Sequence, residues 1–316
     1  MIAHKLRIGI LRLLDCAPVI IARDYGFFAD AGLDVTIAIE PSWANIADKL
    51  AYGLLDGAII LGPLAVAMTL GLRGRVTALR LAATISRDGN AIVLAPDLAR
   101  AANLAAALAL YDEPPRFAVV HAYSNHDLLL RDWLEAQGVA ANDLAIVTLP
   151  PAAMAAALET GAIAGFCVGA PWGALAMADR VGMIVATSAA IAPGHPEKLL
   201  VLRAEIADPR PELAAALREA IGAATALCRL SEHRADLATL LAQPHNLDLP
   251  AAALADALQT RAGNPVFMTG AALLPHRADV AWTIERMRRA GHLAGTASAT
   301  VVTECHNLLL PASDLF

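Results

Sequence analysis

Short apolar runs alternate with helix-length amphipathic segments along the first two thirds of the chain, and this alternation restricts the fold more than any other feature. Leu6 to Leu11 reads as a strand, Val19 to Ala31 as a helix and Leu33 to Glu40 as a strand. A helix from Ser42 to Tyr52 and the apolar run Gly57 to Leu61 complete a βαβαβ pattern, which predicts a parallel sheet covered by helices. After the strand Leu79 to Ile85 comes Ser86-Arg87-Asp88-Gly89-Asn90, read as a turn-rich break, and a further strand over Ala91 to Leu94. The same grammar then repeats. Ala99 to Leu110 reads as a helix, Phe117 to Val120 as a strand, His126 to Gln137 as a helix and Leu144 to Thr148 as a strand. A helix over Pro151 to Glu159 and strands over Ala164 to Val168 and Met183 to Thr187 follow. Beyond Pro193 to Pro196 the chain reads as mostly helical, returning to the first unit. The expectation is an α/β chain of two lobes: 1–88 with 190–316 as a discontinuous lobe 1, and 89–189 as lobe 2. A length of 316 residues suffices for two cores.

Composition narrows the function. The hydrophobic fraction is 57% and mean hydropathy is +0.53, yet no charge-free run reaches the roughly 20 residues that cross a bilayer. The longest candidate, Ala58 to Leu72, is interrupted by Gly62, Pro63 and Gly71, so no membrane insertion is expected. A net charge of −6 without Lys/Arg runs argues against direct nucleic-acid binding. Cys16, Cys167, Cys228 and Cys305 stand far apart, which predicts buried free thiols. His292 with Cys305-His306 is too sparse a donor set for a metal site. The chain has no Gly-x-Ser-x-Gly elbow, no His-Glu-x-x-His helix, no phosphate loop and no dinucleotide fingerprint. Neither catalysis nor a cofactor is therefore expected. Met1 to His4 runs almost directly into the first strand, and with Met1 as native start this leaves no room for an apolar leader. A cytoplasmic location is the resulting expectation.

In open α/β sheets ligands sit beyond the carboxyl ends of strands. The chain carries Leu14-Asp15-Cys16-Ala17-Pro18, the stretch from Tyr25-Gly26-Phe27-Phe28 to Gly32-Leu33-Asp34-Val35, and Ser42-Trp43-Ala44-Asn45. Further on stand Ser124-Asn125-His126, Gly165-Phe166-Cys167-Val168-Gly169-Ala170-Pro171-Trp172, Gly194-His195-Pro196-Glu197-Lys198 and Arg277-Ala278-Asp279-Val280 with Trp282. Together these segments resemble, in order and over nearly the whole chain, the nitrate/bicarbonate branch of substrate-binding proteins. That resemblance implies a type II periplasmic-binding-protein-like fold that closes on a small anion, nitrate or nitrite, without transforming it. Two roles share the scaffold. One is a cytoplasmic nitrate/nitrite sensor that controls an ANTAR-type transcription antiterminator of nitrate assimilation genes; the other is the binding component of an ABC importer, partnered by its permease. The leaderless start places the sensor first.

A planar monovalent anion calls for hydrogen-bond donors from several directions, at most one or two positive charges and no carboxylate beside it. Helix N-termini supply such donors, and Ser42, Ser124 to His126 and Pro151 are predicted helix starts. Trp43 offers an indole N–H just after the N-cap Ser42; its alternative is a packing aromatic. His126 stands at the matching helix start of the other lobe, and the resemblance makes it a ligand contact. Lys198 is one of only three lysines, with Lys5 and Lys49, and is either a neutralising ammonium or a solvated turn residue. Gly89 and Asn90 fall at the crossover, and Gly169 follows a strand, where backbone approaches a ligand closely. The ligand-binding set is thus Trp43, Gly89, Asn90, His126, Gly169 and Lys198. Relatives in this branch commonly carry Glu where Ala170 stands and Gln where Ala153 stands. Ala170 weakens any calcium-assisted bicarbonate site, since Ala offers no oxygen ligand.

Overall fold

A computed structural model describes residues 4–140, 143–296, 301 and 308. Its strands are β1 (His4–Ile10), β2 (Leu33–Ile39), β3 (Gly57–Leu61), β4 (Leu79–Asp88), β5 (Asn90–Leu94), β6 (Arg116–Val119), β7 (Ala145–Thr148), β8 (Gly165–Gly169), β9 (Met183–Thr187), β10 (Pro196–Arg203) and β11 (Pro265–Phe267). They form two sheets. The six-stranded sheet has the order β11-β4-β10-β3-β1-β2, and the five-stranded sheet the order β7-β6-β8-β5-β9. β1 pairs in parallel with β2 and β3, as the βαβαβ pattern predicts, whereas β10 runs antiparallel to β3 and β4.

Alternating side chains serve opposite faces of a strand. In β10, Leu200 and Leu202 join one core with the Ala17–Asp24 and Glu212–Cys228 helices. Leu199 and Val201 join the other, with the Trp43–Ala51 and Gly62–Thr69 helices. β3 likewise sends Ile59 to the first core and Ala58 and Ile60 to the second. A strand covered on both faces reads as a continuous apolar run, which is how Gly57–Leu61 stands in the sequence. A third core, including Phe117, Val119, Leu130 and Ile92, lies on the five-stranded sheet. The two α/β lobes are connected by two neighbouring crossovers, one at Gly89 and one between β9 and β10.

Several elements differ from the sequence reading. The helix expected over Val19 to Ala31 ends at Asp24, because Gly26 adopts φ +81°, and a short turn of helix resumes at Phe27–Asp30. Ser86, Arg87 and Asp88 are not a loop: they complete β4, and the reversal is confined to Asp88 (φ 57°) and Gly89 (φ 88°). Ala99 to Leu110 is not one helix either. Two short ones, Pro96–Ala99 and Leu104–Leu108, are separated, with the Asn103 side chain capping the second. The most consequential difference is β10, a buried central strand where a turn and helices were expected. Among the described residues no helix is long and apolar enough to cross a membrane. Cys16, Cys167 and Cys228 are buried and free, while Cys305 and His306 lie outside the described residues.

The Arg277–Arg289 helix packs on Gly62–Thr69 of the first lobe and reaches the second. Arg286 and Arg289 pair with Asp132, and His292 Nε2 lies 2.9 Å from Asp127 Oδ2. Both aspartates belong to the Asn125–Ala136 helix.

Candidate functional site

The carboxyl ends of β1 and β4, the start of β5 and the end of β8 converge between the lobes with the first residues of β10. Helix starts close the space. Ser42 caps the Trp43–Ala51 helix by accepting from the Asn45 N–H at 3.2 Å, and Ser124 caps Asn125–Ala136 through the Asp127 N–H at 3.1 Å. These two caps place Trp43 on one side and Asn125 and His126 on the other. The Pro151 helix start instead lines a groove with Leu11, Glu40 and Pro41.

Glu197 organises the centre. Its Oε1 accepts from Lys198 Nζ at 2.6 Å, and its Oε2 accepts from Asn90 Nδ2 at 2.8 Å and Asn125 Nδ2 at 2.9 Å. Asn125 Nδ2 also donates to the Pro196 carbonyl at 2.7 Å. The His195 ring stands 3.5 Å from the same Oε2 and stacks on Trp282. Asp15, in the 3-10 turn Leu14–Cys16 that follows β1, accepts from Ser86 Oγ through Oδ1 and has Oδ2 3.7 Å from Lys198 Nζ. Glu197, Lys198 and His126 are fully buried, and Asp15 and Asn90 nearly so.

Burial alone would raise the Glu197 carboxyl, but Lys198, His126 and His195 outweigh it and bring its pKa down to about 2. Burial opposes the charge on Lys198, yet Asp15 and Glu197 hold its pKa above the ordinary value. Burial pushes the His126 pKa down to about 3, so its ring is neutral, one nitrogen donating and the other accepting. Burial raises Asp15; Lys198 opposes that shift, while Glu197 adds to it.

Buried polar atoms are almost always hydrogen-bonded, so a knot of orphans marks a place built for something else. Trp43 Nε1, both His126 ring nitrogens, Asn90 Oδ1 and Asn125 Oδ1 have no hydrogen-bond partner among the described residues. Gly169 lies beside two of them. A Cβ placed on it would lie 3.5 Å from Asn90 Oδ1 and 3.8 Å from both Asp15 Oδ2 and His126 Nε2. Lys198 Nζ is 5.8 Å from the centroid of the Trp43 ring.

Of the residues singled out from sequence, Trp43, Asn90, His126, Gly169 and Lys198 therefore meet in one buried cluster. Lys198 is no turn residue: it lies in β10 and shares in a buried ion pair. Gly89 stands at the edge, its Cα facing Pro265, whose Cα would be 2.8 Å from an added Cβ. Its carbonyl accepts from the Ala170 N–H at 2.9 Å, so its contribution is to the crossover. Two carboxylates, Asp15 and Glu197, stand in the cluster beside Lys198, because a buried ammonium needs counter-charges at hand. Asp15, Asn125 and Glu197 went unselected although all three lie in the segments that carry the resemblance. Among the described residues no group of three or more His, Cys, Asp and Glu is arranged to hold a metal.

A model of the NMT1-like family matches residues 3–242. The chain belongs to the NMT1-like family. The nitrate import ATP-binding protein NrtC of Synechocystis sp. is 37% identical over 76% of this chain and 37% of its own length. The bicarbonate transport ATP-binding protein CmpC of the same organism is 34% identical over 92% of this chain and 46% of its own. The nitrate/nitrite binding protein NrtA is 32% identical over 77% of this chain and 58% of its own. The chain thus spans well under two thirds of these relatives. The crystal structure of periplasmic nitrate-binding NrtA from Synechocystis PCC 6803 superposes with a TM-score of 0.90 at 26% identity, covering 99% of this chain and 87% of that one. The alkanesulfonate-binding SsuA from Xanthomonas axonopodis, at 17% identity and a TM-score of 0.73, shares the fold. The two-lobed α/β architecture is thus that of the periplasmic binding proteins.

Proposed function

We propose that this protein captures nitrate or nitrite between its lobes and does no chemistry on it. The observation that carries the reading is the set of buried donors without a partner among the described residues, Trp43 Nε1 from one lobe and a His126 ring nitrogen from the other, in the cluster that holds the Lys198 ammonium. Lys198 gives one of its three protons to Glu197 and keeps two for other acceptors. Closure buries the anion because donors from both lobes are needed to replace its water. The names of NrtA and NrtC support nitrate as the ligand. Calorimetry with sodium nitrate, sodium nitrite, bicarbonate and taurine tests this; silence with the first two alongside heat from another would overturn the assignment.

Bicarbonate is a second reading with its own support. Asn90 Oδ1 and Asn125 Oδ1 are acceptors, and bicarbonate carries an O–H to give them while nitrate does not. CmpC supports it by name, and the absence of an oxygen ligand at Ala170 weighs against a calcium-assisted version.

As to use, we infer a cytoplasmic sensor that holds an antiterminator partner when empty and releases it when the anion closes the lobes. Delivery to an ABC permease is the alternative, and the transport roles in the names of NrtC and CmpC favour it. Co-purification with the antiterminator, with and without nitrate, separates the two. A complex indifferent to the anion would sink the sensor.

A further inference from the structure

The central cluster contains two carboxyl groups and one ammonium, Asp15, Glu197 and Lys198, all withdrawn from water. With both carboxyls ionised its net charge is −1, and an added monovalent anion would make it −2 in a space from which solvent is excluded. Like charges in such a space force one group to neutralise.

Hydrogen-bond polarity points the same way. Because Asn90 and Asn125 both give Nδ2 to Glu197, their amides cannot flip, and their Oδ1 atoms stay acceptors without a partner among the described residues. Asp15 Oδ2 approaches the same spot beside Gly169 as Asn90 Oδ1 does. A bare anion supplies no hydrogen to any of these oxygens. We propose that the site takes up its anion together with one proton, and that the proton resides on Asp15 Oδ2.

This rests on the anion-binding reading above. The groups facing Asp15 are Ser86 from β4, Glu197 and Lys198 from β10, His126 across the cleft at Gly169, and the Cys16 thiol on its own segment, itself pushed up to about 12 by burial. His195 and Asp88 stand beyond Glu197. Glu197 accepts from Lys198, Asn90 and Asn125 through both oxygens and so stays ionised, which leaves Asp15, with a hydrogen-bond donor on Oδ1 alone, as the carboxyl able to change. Ser86 occupies Oδ1, so the hydrogen falls on Oδ2, the oxygen turned toward Lys198 and Gly169. Protonation converts that oxygen from acceptor to donor and holds the net charge at −1 before and after the anion enters. Burial, which already raises the Asp15 pKa, favours the same step.

The test is calorimetry of the full chain with sodium nitrate and sodium nitrite, in HEPES and in Tris, whose ionisation enthalpies differ strongly, between about pH 7 and about pH 8.5. The expected result is a heat that depends on the buffer, by up to one proton per anion, and a Kd that rises by up to about tenfold per pH unit on the alkaline side. Asp15→Asn, a near-isosteric group that never ionises, should bind with buffer-independent heat and a Kd flat in pH. Binding by the unaltered protein with equal heats in both buffers and a constant Kd would overturn the proton proposal while leaving anion capture intact. No heat from either anion in any buffer would bring down both.

Discussion

Replacing Lys198 with Met keeps an unbranched, flexible side chain one atom shorter and removes the ammonium that stands beside two buried carboxyls. Glu197 loses its 2.6 Å contact and Asp15 its 3.7 Å neighbour. Removing one member of a buried pair costs about 3–5 kcal/mol because the other charge is left uncompensated. The Glu197 shift gives a similar figure: a fall from 4.5 to about 2 corresponds to about 3 kcal/mol, to which Lys198 is the largest favourable contributor. Against a typical stability of about 5–15 kcal/mol the variant should still fold, with a clearly lower urea midpoint near neutral pH. Its deficit should shrink in acid as the stranded carboxyls take up protons. Glu197→Gln added to Lys198→Met should recover part of the loss, since the pair is then removed together. Urea unfolding of the three proteins by circular dichroism, with nitrate calorimetry on each, measures all of this. A Lys198→Met protein within about 1 kcal/mol of the original at neutral pH would refute the argument that Lys198 compensates a buried charge.

Further outcomes follow from the same geometry. Trp43→Phe removes the unpartnered indole N–H and keeps a ring, so nitrate affinity should fall about tenfold with little change in melting temperature, as titration calorimetry and a thermal scan would show. His126→Ala should weaken binding by at least that much, and unchanged affinity in both variants would mean that the anion sits elsewhere. Gly89→Ala forces a Cβ to 2.8 Å from the Pro265 backbone at φ +88°, and the expected loss is about 1–3 kcal/mol in urea unfolding. The Glu197 pKa is depressed in the folded protein, so the stability it contributes is complete above pH 4.5 and disappears as pH falls through about 2. Glu197→Gln should accordingly flatten the acid limb of the stability profile, read from urea midpoints across that window.

Much of the layered architecture was legible because each element bears a local signature. Gly57–Leu61 is apolar at every position because both its faces are covered, and Ser42 and Ser124 announce helix starts because a side-chain oxygen there satisfies a free N–H. Those two caps were enough to put Trp43 and His126 at helix starts, one in each lobe. β10 escaped notice because Pro196-Glu197-Lys198 looks like a solvated turn, and nothing local says that its charges are buried. What buries them lies far away in sequence, on Asp15, Asn90 and Asn125.

The sequence by itself determined the alternation of strands and helices, the lack of any membrane-length apolar run, and the residue types placed after the strands, because each follows from local periodicity, length or capping. Only the tertiary structure decided which side chains share a dielectric environment. Strand β10 runs between β3 and β4, and the lobes fold over its first residues, so a lysine and two carboxyls become one buried unit. A charge's ionisation depends on distance and desolvation, and neither is carried by the chain until it closes on itself.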